Sequence, residues 1–173
     1  MFTFKDYQNL FRIKNIMKKN PEGRIILFLD FDGVINAGIS LKDFVFKELP
    51  CGFYDLSNHD CVKRVNQLIH DYSLSIVLST SWRATGMEKC YAYLTEIGFD
   101  QDIDIVGMTA LDKGVSREEV IMDYLLEHPS FRGFLILDDI TMEHLKDFQV
   151  VTNFQDGYSE ACDAKAREIL SSF

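Results

Sequence analysis

The sequence predicts an α/β domain, a three-layer, Rossmann-like parallel sheet with helices on both faces. Three observations predict it. Short apolar runs rich in β-branched and aromatic residues recur along the chain, as strands buried on both faces require. Amphipathic segments with helix start and stop signals separate those runs. Strand and helix alternate from residue 24 to the end, which implies right-handed βαβ connections. With 173 residues the chain fits one domain with one core, and 47% apolar and 26% charged residues exclude wholesale disorder.

Residues 3–17 set Phe4, Tyr7, Leu10, Phe11 and Met17 near helical spacing, predicting an amphipathic helix packed on the domain. A turn through Pro21 and Gly23 ends it, so residues 1–23 form an amino-terminal helix and turn and 24–173 the main domain. The run Arg24–Leu29 is the first strand. Ser57 or Asn58 caps a helix carrying Val62, Val65, Leu68, Ile69 and Tyr72, followed by a strand at Ile76–Leu78. Thr85 caps a helix carrying Met87, Tyr91 and Leu94, which stops at Gly98. A third strand is expected at Ile103–Val106. Ser116 and Glu119 make a capping box ahead of Val120, Ile121, Tyr124 and Leu125, and Pro129 ends that helix. Phe134–Leu137 and Gln149–Val151 are the fourth and fifth strands, and Ser159 caps a last helix reaching Ile169 and Leu170. Residues 36–55 are too long for a tight connection and too mixed for a helix. They read as a flap segment, the kind of excursion that carries function.

Charge and composition narrow the classes. Eighteen Lys and Arg against 27 Asp and Glu give a net charge of −9, which opposes tight non-specific binding of nucleic acid. No unbroken apolar run is longer than that of Ile25–Leu29, far short of the roughly 20 residues of a membrane span. The amino-terminal stretch mixes charges into its apolar residues and has no signal-peptide core. Four cysteines (Cys51, Cys61, Cys90, Cys162) show no CxxC spacing. A reduced, cytoplasmic protein is expected.

Open parallel sheets place their reactive groups just beyond the carboxyl ends of the strands. The first strand ends in Asp30-Phe31-Asp32-Gly33, the second in Ser79-Thr80-Ser81, and the fourth in Asp138-Asp139. Asp30, Asp32, Asp138 and Asp139 cannot all ionise in one small space without a cation. All-oxygen ligation of this kind suits Mg²⁺ and leaves room for a phosphate oxygen. Ser79 and Thr80 offer hydroxyls at the second strand end, where a helix cap is the plainer role for either. Trp82 and Arg83 follow, placed either to contact substrate or to pack in the core, and Asn36 is placed to line the pocket. His59, His70, His128 and His144 lack metal-ligand spacing, and no P-loop motif is present.

The segments ILFLDFDGVIN, VLSTSWR, SREEVIMDYL and LILDDI together resemble the four motifs of the haloacid dehalogenase-like (HAD) superfamily of phosphohydrolases. Thr80 with Trp82, SREEVI followed by HP, and the stretch ending FQDGYSEACDAKAREIL are similar to the small HAD domains of Swiss Army Knife RNA-repair proteins. The resemblance runs from about Arg24 to Leu170. It implies that Asp30 is a nucleophile forming an aspartyl-phosphate and Asp32 the general acid and base, with its backbone carbonyl on Mg²⁺. It matches Thr80, with Ser79 as the alternative, to the hydroxyl on the phosphoryl group. Arg117, with Lys113 as the alternative, matches the cation steadying that group. Asp138 matches a direct metal ligand and Asp139 its partner. No segment is long enough for a large cap domain, so the resemblance implies an open site.

An Mg²⁺-dependent phosphomonoesterase follows, acting on a phosphorylated substrate of undefined size, with a nucleic-acid end among the candidates. Lys42, Lys47, Arg83 and Lys113 are the cations expected near the mouth. Two rivals stand beside it: a catalytically silent HAD-fold binding protein and a phospho-accepting signalling module. The order of DxD on the first strand and DD on the fourth favours the phosphatase over the signalling module.

Overall fold

The computed structural model describes residues 4–38, 47–111 and 114–173. Five strands, β1 (Arg24–Leu29), β2 (Ser75–Leu78), β3 (Ile105–Met108), β4 (Phe131–Asp138) and β5 (Gln149–Val151), form one sheet in the order β3-β2-β1-β4-β5. Every pairing is parallel. Leu29 pairs with Leu78 on one side and Leu137 on the other, so the carboxyl ends of the three central strands lie level. Chain order reverses between β1 and β4, the place where an open α/β sheet leaves a crevice for a ligand.

Among the described residues five α-helices cover the sheet: α1 (Phe4–Lys19), α2 (His59–Tyr72), α3 (Met87–Glu96), α4 (Arg117–Glu127) and α5 (Glu160–Leu170). Side chains of α2, α3 and α5 pack with Leu27, Leu29, Ile76 and Leu135 on one face. Those of α1 and α4 pack with Ile26, Phe28, Val77 and Phe134 on the other. The alternation of Leu27 and Phe28 between two cores is why β1 reads as an unbroken apolar run. The sheet class, its helical layers and the lack of a large cap among the described residues agree with the sequence.

Local signals behave as their chemistry requires. Asn58 accepts hydrogen bonds from the amides of Asp60 and Cys61 and caps α2. Ser116 and Glu119 form the reciprocal capping box of α4, and Ser159 caps α5. Other details differ. Tyr7 and Phe11 on α1 are exposed, and Ile13 is the residue sealed beneath the helix. In α3 the buried positions are Cys90, Tyr93 and Leu94, while Tyr91 faces out and donates to the Gln101 carbonyl. Thr85 does not cap α3. It closes a 3-10 turn over Ser81–Thr85, and Gly86 starts the helix without a side-chain cap. The third strand lies two residues later than its apolar run suggests. The register shifts between Ile76 and Val77, and Gly107 admits the Tyr124 ring so closely that a Cβ there would lie 2.5 Å from its hydroxyl. Of the flap segment, the described limb 47–55 folds back on itself, with Glu48 bridging Tyr54.

Candidate active site

The carboxyl ends of β1, β2 and β4 converge on one cluster of charge. Asp30, the residue after β1, is almost fully buried, and its Oδ1 accepts from the Phe31 amide at 2.8 Å. Burial pushes its carboxyl above the usual aspartate range, against the pull of Arg117 and the Thr80 hydroxyl. Asp138 ends β4 at zero exposure, and its Oδ1 accepts from the Ile140 amide at 2.9 Å. Burial first, then the nearby Asp30 charge, pushes Asp138 up to about 7.

Arg117 answers these charges. The capping box fixes the start of α4, so the first residue of that helix sends its guanidinium toward the sheet. Its Nη1 lies 3.1 Å from Asp30 Oδ2 and 2.8 Å from Asp138 Oδ2, and it also donates to the Ser79 carbonyl. The next residue, Glu118, accepts from the His144 and Leu145 amides at 2.7 and 2.9 Å, tying α4 to the loop beyond β4. Nothing local in the sequence announces that clamp, because its partners are 26 and 27 residues away.

Asp30, Asp138 and Asp139 each offer an oxygen to a group whose atoms lie within 4.8 Å of one another. Gly33 permits this approach. Its φ is +77°, and a Cβ at that position would stand 2.8 Å from Asp139 Oδ2. Three carboxylates against one guanidinium leave an excess of about two negative charges, which suits a divalent cation with oxygen ligands. Asp32 stands outside this group. Its Oδ2 accepts from Trp82 Nε1 at 2.8 Å and its Oδ1 from Asn36 Nδ2 at 3.0 Å.

The remaining residues singled out in the sequence have distinct placements. Thr80 is buried beside Asp30, and its hydroxyl also accepts from the Trp82 amide at 3.3 Å. Ser79 is buried too, with a hydroxyl that has no hydrogen-bond partner among the described residues. Arg83 is a correction. Only 8% exposed, it donates Nε to the Thr109 carbonyl at 2.9 Å, Nη2 to Ala110 at 2.8 Å, and Nη1 to Thr80. Three of its N–H groups are held by backbone carbonyls, so it braces the loops after β2 and β3 from a buried position. Asn36 is a second correction, sealed at 1% exposure between Asp32 and Tyr93 and unable to line an open pocket. Lys47 is exposed and pairs loosely with Asp55 at 3.9 Å. Lys42 and Lys113 lie outside the described residues. Tyr93 drew no attention in the sequence, since a tyrosine on a helix face carries no mark of what it meets.

The family model for the HAD domain in Swiss Army Knife RNA repair proteins matches residues 26–162. That span holds all five strands except the first two residues of β1, together with Asp30, Thr80, Arg117 and Asp138. No curated protein and no solved structure matches the chain. Among the described residues no helix is long and apolar enough to cross a membrane. The family points to phosphohydrolase chemistry in an RNA-repair setting. With its motif residues gathered at one sheet edge and four-fifths of its length matched, the chain belongs to the HAD domains of Swiss Army Knife RNA repair proteins.

Proposed function

We propose that the protein is an Mg²⁺-dependent phosphomonoesterase working through an aspartyl-phosphate on Asp30. The observation that carries this reading is the Asp30–Arg117–Asp138 bridge with Asp139 beside it. The donor set fits a hard divalent cation: three carboxylates, two of them buried, whose mutual repulsion one guanidinium offsets only in part. Asp30, Asp138 and Asp139 would hold Mg²⁺, joined by the Asp32 backbone carbonyl. When bound, the ion offsets phosphate charge so that a carboxylate can approach phosphorus.

The chain's own groups then do the following. Asp30 attacks phosphorus, the bond to the ester oxygen breaks, and Asp32 gives that oxygen its proton. Arg117 balances charge on Asp30 and on the phosphoryl oxygens, and Thr80 offers its hydroxyl to the same group. Asp32, now ionised, takes a proton from water as the water attacks phosphorus. The bond to Asp30 breaks, orthophosphate leaves, and both aspartates return to their starting forms.

The substrate we propose is a terminal phosphate monoester, on a nucleotide or a nucleic-acid end, held without base readout. The family's RNA-repair setting and the lack of a large cap among the described residues support an open site for a bulky substrate. With Arg83 buried and held by backbone carbonyls, contacts to neighbouring phosphates would fall to Lys47 and to Lys42 and Lys113. Few such contacts make for weak, salt-sensitive binding. Cytoplasmic residence is part of the same reading.

Asp30→Asn tests the mechanism. It should abolish turnover of an aryl phosphate and of a 3′-phosphorylated oligonucleotide while the thermal melt stays cooperative. Retention of most activity would sink the aspartyl-phosphate. A stable phospho-form that accumulates without turnover would instead favour a phospho-accepting module.

A further inference from the structure

We propose that Trp82, Asn36 and Tyr93 are positioning residues that hold Asp32 in the one orientation from which it can serve the leaving oxygen. The proposal rests on the phosphomonoesterase reading and deepens it.

The arrangement is built from three separate parts of the chain. Asn36 lies in the turn after β1, Trp82 in the 3-10 turn after β2, and Tyr93 on α3. Each oxygen of Asp32 receives one donor, Trp82 Nε1 on Oδ2 and Asn36 Nδ2 on Oδ1. A carboxylate has about four lone-pair sites, so each oxygen keeps a free one for a proton or a water. Two donors from different directions fix both the position and the plane of the group.

Tyr93 decides which way the Asn36 amide faces. Its hydroxyl donates to Asn36 Oδ1 at 2.6 Å, which leaves the amide nitrogen for Asp32. Burial drives the Tyr93 hydroxyl well above its usual pKa, so it remains a donor across the working range. A flipped amide would set Asn36 Oδ1 against Asp32 Oδ1, two acceptors facing each other, and would lose the bond from the Tyr93 hydroxyl.

Trp82 is fixed just as firmly. Its ring centroid lies 4.7 Å from Tyr93, 5.0 Å from Phe53 and 5.8 Å from Phe31. Phe53 comes from the returning limb of the flap segment, whose Cys51 amide donates to Glu96 on α3 at 3.0 Å. The indole therefore cannot swing without displacing three aromatic rings. General acid catalysis depends on such placement, because a proton offered from the wrong angle gains little from proximity.

Leaving-group dependence reads this role where a purely structural role would not. Steady-state kcat/KM reports only steps through the first phosphoryl transfer. A dinitrophenolate leaves without a proton, whereas an alkoxide needs one. Trp82→Phe and Tyr93→Phe, which keep an aromatic ring, should each lose about tenfold more kcat/KM on an alkyl or nucleoside monophosphate than on 2,4-dinitrophenyl phosphate. Both substrates are measured on one preparation, so any unfolded fraction cancels in the ratio. Asp32→Asn is the reference and should show the same selectivity at about a hundredfold. If Asp32→Asn is selective while Trp82→Phe and Tyr93→Phe fall equally on both substrates, positioning is overturned and the acid–base role of Asp32 stands. If Asp32→Asn itself shows no selectivity, the acid–base reading fails and takes this proposal with it.

Discussion

Arg117 and Asp138 lie 21 residues apart in sequence, yet Nη1 of one stands 2.8 Å from Oδ2 of the other, with both side chains largely removed from solvent. The same nitrogen reaches Asp30, so one cation serves the nucleophile proposed just past β1 and the metal ligand proposed at the end of β4. Arg117→Ala should remove about 3–5 kcal/mol of stability from the metal-free protein, the usual result of stripping one partner from a buried ion pair. Arg117→Lys should recover part of that stability and part of the aryl phosphatase activity. Urea titration in a chelator checks the first statement, and an alanine variant as stable as the parent would refute it.

Asp138 gives the metal-free protein a pH signature. Its ordinary value is 3.8 and its folded value about 7, so between those limits the folded chain binds a proton that the unfolded chain has released. The associated stability is complete below about pH 4 and is lost as pH rises through about 7. Asp30, also raised by burial, acts in the same direction. Denaturation midpoints in chelator should therefore fall between pH 5 and pH 8, and Asp138→Asn should flatten the trend. Rising midpoints over that range would contradict the assignment.

Gly33 is where backbone and metal ligand meet. Alanine at φ +77° costs roughly 1 kcal/mol by itself, and its Cβ would press on the Asp139 carboxylate. Gly33→Ala should weaken Mg²⁺ binding about tenfold, a loss of about 1.4 kcal/mol. Following the thermal midpoint as Mg²⁺ is added measures this. A shift equal to the parent's at every concentration would show that Asp139 is not needed near Gly33.

Arg83 should prove structural. Arg83→Met strips the Thr109 and Ala110 carbonyls of their guanidinium donor, leaves Thr80 with the residue 83 backbone amide alone, and should cost about 3 kcal/mol. Arg83→Lys should not restore it, because one ammonium cannot reproduce three forked bonds. The salt dependence of oligonucleotide turnover should be unchanged in Arg83→Met, which removes the charge. A flatter salt dependence would return Arg83 to the phosphate contacts.

What the sequence made readable was whatever a short window can encode. The capping box at Ser116, the Asn58 cap and the apolar strands each follow from a few adjacent residues, and the acidic strand ends stand out for the same reason. Strand β3 slipped because Gly107 is a poor strand former in isolation, and the ring packed over it is set by α4. In sequence Asn36 reads as a pocket-lining group, and Arg83 as either a substrate contact or a packed residue. Their burial depends on carbonyls 26 and 27 residues ahead and on a tyrosine 57 residues ahead, distances at which no local pattern exists. Sequence gave the residue types of the site, and long-range packing gave several of them their tasks.

The clamp made by Glu118 has a consequence for how the molecule comes apart. It fastens the start of α4 to the loop past β4 at the point where Arg117 bridges the sheet, so cation and carboxylate belong to one cooperative unit. Local fraying cannot separate them. Amide protons at Ile140, His144 and Leu145 should exchange with solvent only through openings close to the global unfolding free energy, and activity should disappear on heating with the fold rather than before it.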